Sequence, residues 1–113
     1  MDAAMVVTWG QPVAGREQKA LEYGAEVMAH WSRLAQEGKC TEPEMFLSDN
    51  GVGLWMVKAD RATLMAELDN DATQLLLMKG DLLLQEFAMA VYRTGAAADA
   101  FMATYGKALQ AIS

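Results

Sequence analysis

The sequence predicts a single α+β domain, residues 1–113, in which helices cover one face of an antiparallel four-stranded sheet. Three observations support this class. Short β-branched and aromatic runs alternate with longer segments of helical periodicity, clusters of Gly, Asp and Asn separate them, and no linker or internal repeat is present. The predicted order of elements is β-α-β-β-α-β, followed by a C-terminal helix at about residues 96–112.

The first strand and the first helix are predicted from a change in periodicity. Residues 4–9 form a short β-branched and aromatic run, which is typical of a strand. Over residues 16–37, apolar side chains return every three or four positions, for example at Met28 and Trp31. This spacing predicts a helix with one apolar face.

A β-hairpin is predicted next. Residues 40–47 form the second strand, and Pro43 within it indicates an edge position or a bulge, since proline cannot donate to the ladder. The residues at 48–51 read Ser-Asp-Asn-Gly, a strong hairpin turn. Residues 52–57 form the third strand, which is apolar on both faces and therefore predicted to be covered on both.

The second half of the chain is predicted with one open alternative. Asp60 is the expected N-cap of a helix over Arg61–Leu68, and a second short helix should run to Met78 before a break at residues 79–81. Residues 82–93 alternate like a strand, although their Ala, Met, Gln and Glu content also suits a helix. We favour the strand because the sheet would otherwise have only three members.

This order of elements is the ferredoxin-like split βαβ pattern. One layer of helices covers one face of such a sheet, so the other face needs a different partner. We expect this uncovered face, including Trp55 and Val57, to be the contact surface of a homodimer. In a monomer, the C-terminal helix would have to cover it instead.

Composition excludes several functional classes. The net charge of −6 opposes general nucleic-acid binding and docking on anionic membranes. The single cysteine, Cys40, excludes an intrachain disulfide, and no Cys or His cluster predicts a metal site or a cofactor. Residues 1–4 lack the basic start of a signal peptide, so we expect a cytoplasmic protein.

Five residues are candidates for a functional site. Glu86 would be a base if it lay desolvated on an apolar strand face, and Tyr92 on the same face would supply a hydroxyl. His30, the only histidine, would act as a base if it faced a pocket. Trp9 and Trp55 would form the walls of an apolar ligand pocket. The simpler alternatives are a solvated carboxylate, a boundary histidine and two core tryptophans, and we favour them.

Residues 4–93 resemble the dimeric α+β barrel superfamily, which includes antibiotic-biosynthesis-monooxygenase-like and EthD-like proteins. The resemblance lies in the strand at 5–9, the "AGREQKALE" helix start at 14–22, the hairpin "FLSDNGVGLWMVKAD" at 46–60 and "RATLMAELDNDATQLL" at 61–76. It implies a homodimer in which two sheets pack face to face as a barrel.

Two functions are expected from these observations. The first is a ligand-binding or structural module without a catalytic constellation, with an apolar small molecule as a candidate ligand. The alternative is a cofactor-independent monooxygenase-like or EthD-like enzyme acting on an aromatic or polycyclic small molecule. The enzyme requires a closed apolar pocket of ~300 Å³ or more with Glu86 or His30 at its wall. We favour the binding module, because no acid/base set is recognisable.

Overall fold

A computed structural model describes all residues, 1–113, and confirms the predicted α+β class. Four strands and four helices follow one another along the chain. They are β1 (Ala3–Trp9), α1 (Glu17–Gln36), β2 (Glu44–Leu47), β3 (Gly53–Ala59), α2 (Arg61–Leu68), α3 (Asp71–Leu83), β4 (Ala88–Arg93) and α4 (Gly95–Ala111).

The four strands form one sheet in the order β2-β3-β1-β4, and every neighbouring pair is antiparallel. α1 connects β1 to β2, and β3 lies between these two strands. α2 and α3 connect β3 to β4, and β1 lies between those two strands. The ladders align Met5 with Val57 on one side and with Val91 on the other.

The core lies between the helices and one face of the sheet, called here the covered face. Trp55 and Val57 belong to this face and are buried with Met5 against α1, where Trp31 contacts them. The expectation that Trp55 and Val57 lie on the uncovered face is therefore wrong. Both faces of this strand are apolar, so alternation could not tell which one the helices cover.

The opposite face of the sheet, called here the open face, has no helix packed on it. Strand alternation and the ladder register place on it Ala4, Val6, Thr8, Glu44, Phe46, Leu54, Met56, Lys58, Ala88, Ala90 and Tyr92. Only Glu44 and Lys58 of this set are charged. A mainly apolar face is thus left without a partner inside the chain.

The segment after residue 78 differs from the prediction. α3 continues through Gly80 to Leu83, so no break occurs there, and β4 begins only at Ala88. Gly80 is a packing residue, because a Cβ at this position would lie 2.5 Å from the Tyr23 hydroxyl and 2.6 Å from the ring of Phe87. The predicted helix break at residues 79–81 is therefore wrong. Gly80 is small because Tyr23 and Phe87 lie against it, and it does not end the helix.

The helix starts follow the predictions only in part. Asp60 occupies the N-cap position of α2 without a capping side-chain bond, and Asp2 Oδ1 instead accepts a hydrogen bond from the Arg61 backbone N–H at 2.7 Å. Asn70 occupies the N-cap position of α3, and its side chain accepts from the Ala72 N–H at 2.9 Å.

α4 forms as predicted but buries none of its side chains. The helix contacts β4 through Phe101, whose ring centre lies 4.4 Å from the Arg93 guanidinium. The radius of gyration is 16.3 Å, against about 13 Å expected for a compact chain of this length. α4 therefore does not cover the open face. None of the four helices combines the length and the apolarity that crossing a membrane requires.

Candidate functional site

A cavity of about 590 Å³ lies between α1 and the covered face of the sheet. Its size is in the range of small-molecule sites. It is lined by Trp9, Pro12, Glu17, Ala20, Leu21, Tyr23, Gly24, Ala25, Val27, Met28, Met45, Leu47, Gly51, Trp55, Leu84 and Phe87. The cavity is open to solvent on one side rather than closed.

The two tryptophans predicted as pocket walls both line this cavity. The Trp9 indole N–H donates to the Gly51 carbonyl at 3.1 Å, which ties the end of β1 to the tip of the β2–β3 hairpin. Trp55 packs against Trp31 with their ring centres 5.6 Å apart. Both indoles are thus held in place, as a stacking surface requires. Their role in stacking on a ligand stays a prediction.

Two further polar side chains of the cavity have partners inside the protein. The Tyr23 hydroxyl donates to the Leu76 carbonyl at 2.7 Å, and burial, together with the nearby Glu26, raises the pKa of Tyr23 to about 12. Glu17 Oε1 accepts from the Gly15 N–H at 3.1 Å. Hydrogen bonds from its own N–H and from that of Gly15 lower the pKa of Glu17, so this carboxylate is ionised at neutral pH.

The mouth of the cavity is bordered by exposed apolar side chains. Leu21 is 73% exposed and Leu47 is 61% exposed, and Met45 is also accessible. Side chains of this kind usually bury at least part of their surface. An apolar molecule that enters the cavity would cover them.

His30 does not line the cavity. It is buried between α1 and α3, where Nε2 lies 3.0 Å from Thr73 Oγ1 and Nδ1 lies 3.1 Å from the Arg33 guanidinium. Because arginine can only donate, Nδ1 accepts the hydrogen bond from Arg33. Nε2 therefore carries the hydrogen atom and donates a hydrogen bond to Thr73 Oγ1. Burial, and then the charge of Arg33, lower the pKa of His30. This geometry is that of a neutral histidine joining two helices.

Glu86 and Tyr92 do not share a strand face, which corrects the arrangement expected from the sequence. Glu86 precedes β4 in a turn, is exposed, and has φ +54°. Tyr92 lies on the open face and is 56% exposed. The desolvation argued for a Glu86 base is therefore absent. His30, Glu86 and Tyr92 lie in three separate places, and none of them lines the cavity.

Sequence reasoning missed most of the cavity wall. Pro12, Leu84 and Phe87 line it because the segment before α1 pairs with the end of α3 through a bridge between Pro12 and Leu84. No local sequence pattern predicts a contact between residues as far apart as Pro12 and Leu84. Glu17 had no signal beyond its place at the start of a helix. The structure brings no three His, Cys, Asp or Glu side chains together as a metal site.

Comparison with known proteins identifies the fold. Neither a protein-family model nor a curated protein matches this sequence. The chain is similar to the crystal structure of an antibiotic biosynthesis monooxygenase-like protein from Deinococcus radiodurans, with a TM-score of 0.63, 13% identity, and coverage of 86% of this chain and 95% of that one. The likeness shows that this chain has the same α+β fold as that structure.

Two further solved structures support this fold. One is a conserved protein from Bacteroides thetaiotaomicron described as a possible oxidoreductase, with a TM-score of 0.64, 14% identity, and coverage of 82% of this chain and 98% of that one. The other, from Shewanella oneidensis, has a TM-score of 0.62, 18% identity, and coverage of 82% and 91%. At these identities the likeness concerns the fold, and it carries no activity with it.

Proposed function

We propose that this protein binds an apolar small molecule in the cavity between α1 and the sheet. The observation that carries the proposal is the cavity itself: about 590 Å³ with an almost entirely apolar wall and two fixed indoles. Burying apolar ligand surface there is favourable at about 25 cal/mol per Å². Because the wall is mainly apolar, the binding energy comes mainly from shape and apolar contact.

Filling the cavity from α1 tests the proposal. Gly24 lies in its wall, and a Cβ added there meets nothing within 4 Å. We expect Gly24→Leu to weaken binding of the neutral dye Nile red at least tenfold, as followed by fluorescence. Gly106→Leu is the matched control, because Gly106 is also a helix-interior glycine with open space around it, but in α4, away from the cavity. Equal dye affinity in the two variants would contradict the proposal.

We also propose that the chain acts as a homodimer through the open face. The support is the apolar character of Val6, Leu54 and Met56 on a face that no element of the chain covers. Sedimentation should give twice the chain mass, and Met56→Lys should give the monomer, because it places a charge in the centre of the contact. Leu75→Lys, at an exposed site on α3, is the matched control. A wild-type monomer at high micromolar concentration would contradict this part.

A second candidate function is a cofactor-independent monooxygenase-like or EthD-like enzyme acting on an aromatic or polycyclic molecule. Its support is the monooxygenase-like solved structure together with the indoles that line the cavity. Oxygen uptake in the presence of polycyclic hydroquinones tests it, with Gly24→Leu, which fills the cavity, as the variant. The binding module predicts no uptake above the rate without protein, whereas uptake that this variant abolishes would favour the enzyme.

A further inference from the structure

The cavity has one charged side chain, and it is an anion. Of its lining residues only Glu17 carries a charge, and the Glu17 carboxylate forms no ion pair. The two cations beside it along the chain face elsewhere: Arg16 and Lys19 line a separate groove together with Lys79, and the Arg16 guanidinium donates to the Leu82 carbonyl at 2.9 Å. A molecule in the cavity therefore has a single formal charge in its wall.

Two of the three side-chain N–H and O–H donors of the cavity are already used inside the protein, while the Trp55 indole N–H forms no hydrogen bond. The Tyr23 hydroxyl donates to Leu76, and the Trp9 indole N–H donates to Gly51. The start of α1 would attract an anion through its free N–H groups, but the Glu17 carboxylate already lies there and accepts from Gly15. A ligand carboxylate would meet the like charge of Glu17, at an energetic cost.

A cationic ligand is in the opposite situation. Glu17 is exposed, and no side chain of the protein pairs with its carboxylate. An ammonium can donate to this carboxylate while its apolar body lies in the cavity that the two indoles line. We propose that the cavity selects apolar amines over apolar alcohols and excludes apolar carboxylates, with Glu17 as the residue that determines this preference. This inference rests on the proposed function.

Displacement of Nile red by three ligands with the same chain tests it. Decylammonium, decanol and decanoate are compared at pH 7, each below the concentration at which it forms aggregates. We expect decylammonium to displace the dye roughly two- to fivefold more strongly than decanol, as expected for one solvent-exposed charge pair, and decanoate to be the weakest. The preference for the cation should shrink in high salt.

Two variants assign the preference to Glu17. Glu17→Gln should make decylammonium and decanol equal in displacing Nile red, because it removes the only charge of the cavity wall. Glu22→Gln removes the same charge from α1 at a position outside the cavity wall and should keep the wild-type order. This control separates a local effect of Glu17 from the attraction of any cation to a chain of net charge −6.

The possible results separate the two proposals. If Nile red does not bind, or if Gly24→Leu leaves its affinity unchanged, the cavity is not a binding site. Both the proposed ligand binding and the preference for amines then fail. If Nile red binds but the three ligands displace it equally, the proposed function stands and the preference for amines is overturned. Stronger displacement by decanoate overturns it as well, because the start of α1 would then attract an anion despite Glu17.

Discussion

The two faces of the sheet are built from the same strands and similar residue types, but their surroundings differ. On the covered face, Met5, Val7 and Val57 are almost completely buried beneath α1. Leu54 and Met56 lie on the open face of β3, where no helix covers them and both are partly exposed. Their neighbours along the strand, Trp55 and Val57, point to the covered face and are buried. The difference shows that strand alternation sorts side chains into two sets, whereas the helical connections decide which set becomes the core.

This difference also separates two kinds of function. The covered face contains the cavity, because α1 and the hairpin do not fill all the space above Trp9 and Trp55. The open face has no comparable depression and instead offers a broad apolar surface. A cavity suits a small molecule, whereas a broad surface suits another protein chain.

Two methionines provide the sharpest test of this difference. Met5 lies on the covered face and is 0% exposed, while Met56 lies on the neighbouring strand but on the open face. Met5→Ala should lower the free energy of unfolding by about 2–5 kcal/mol, because it leaves a cavity in the core. Met56→Ala should cost about 1 kcal/mol or less. Urea unfolding at the lowest practical protein concentration measures both, so that association contributes least. Equal losses would mean that the two faces are equally packed.

The sequence predicted the elements better than their environments. The apolar spacing of α1 and the Asn-Gly turn predicted a helix and a hairpin correctly, because both signals are local. Gly80 misled the prediction because its small size serves a contact with Tyr23, more than fifty residues away in sequence. Similarly, the positive φ of Glu86 has no signal in a residue type that seldom adopts it.

The candidate site could be predicted only in part for the same reason. Trp9 and Trp55 were candidates for a cavity wall because large aromatics in strands face an interior, although the favoured alternative was two core tryptophans. Glu17 could not be predicted to lie in the same wall, since this depends on how α1 crosses the sheet. His30 was favoured as a boundary residue, but it is buried, and its bond to Thr73 depends on the packing of α3 against α1.

The covered side should also be sensitive to pH through His30. Burial and Arg33 lower its pKa in the folded protein, so the unfolded chain, with a pKa of 6.5, binds a proton more readily. Stability is therefore fully present above this pH and decreases as the pH falls below it. Thermal unfolding between about pH 5.5 and 7.5 measures the slope, before carboxylates titrate. His30 is the only histidine. His30→Gln should therefore flatten the slope, and an unchanged slope would mean that another group is responsible.

The smallest effect is expected from the last helix, which extends the comparison from strands to helices. α1 and α4 both carry an apolar stripe, but α1 buries five side chains and α4 buries none. Deleting residues 95–113 removes the contact between Arg93 and Phe101, which is worth about 0.5–1 kcal/mol at an exposed site. We expect the unfolding free energy of the shortened chain to fall by no more than that, with unchanged near-ultraviolet circular dichroism bands from the three tryptophans, which all lie outside the deleted segment.

Protein concentration distinguishes the two ways in which this last expectation could be wrong. If the deletion lowers the unfolding free energy by several kcal/mol at every concentration, α4 packs on its own chain in solution and buries side chains as α1 does. If the loss appears only as the concentration rises, the apolar residues of α4 contribute to association, because only a contact between chains depends on concentration. Met56→Lys in the shortened chain then shows whether that contact is separate from the open face. Losses that add indicate two independent surfaces, and losses that do not add indicate a single surface formed by both.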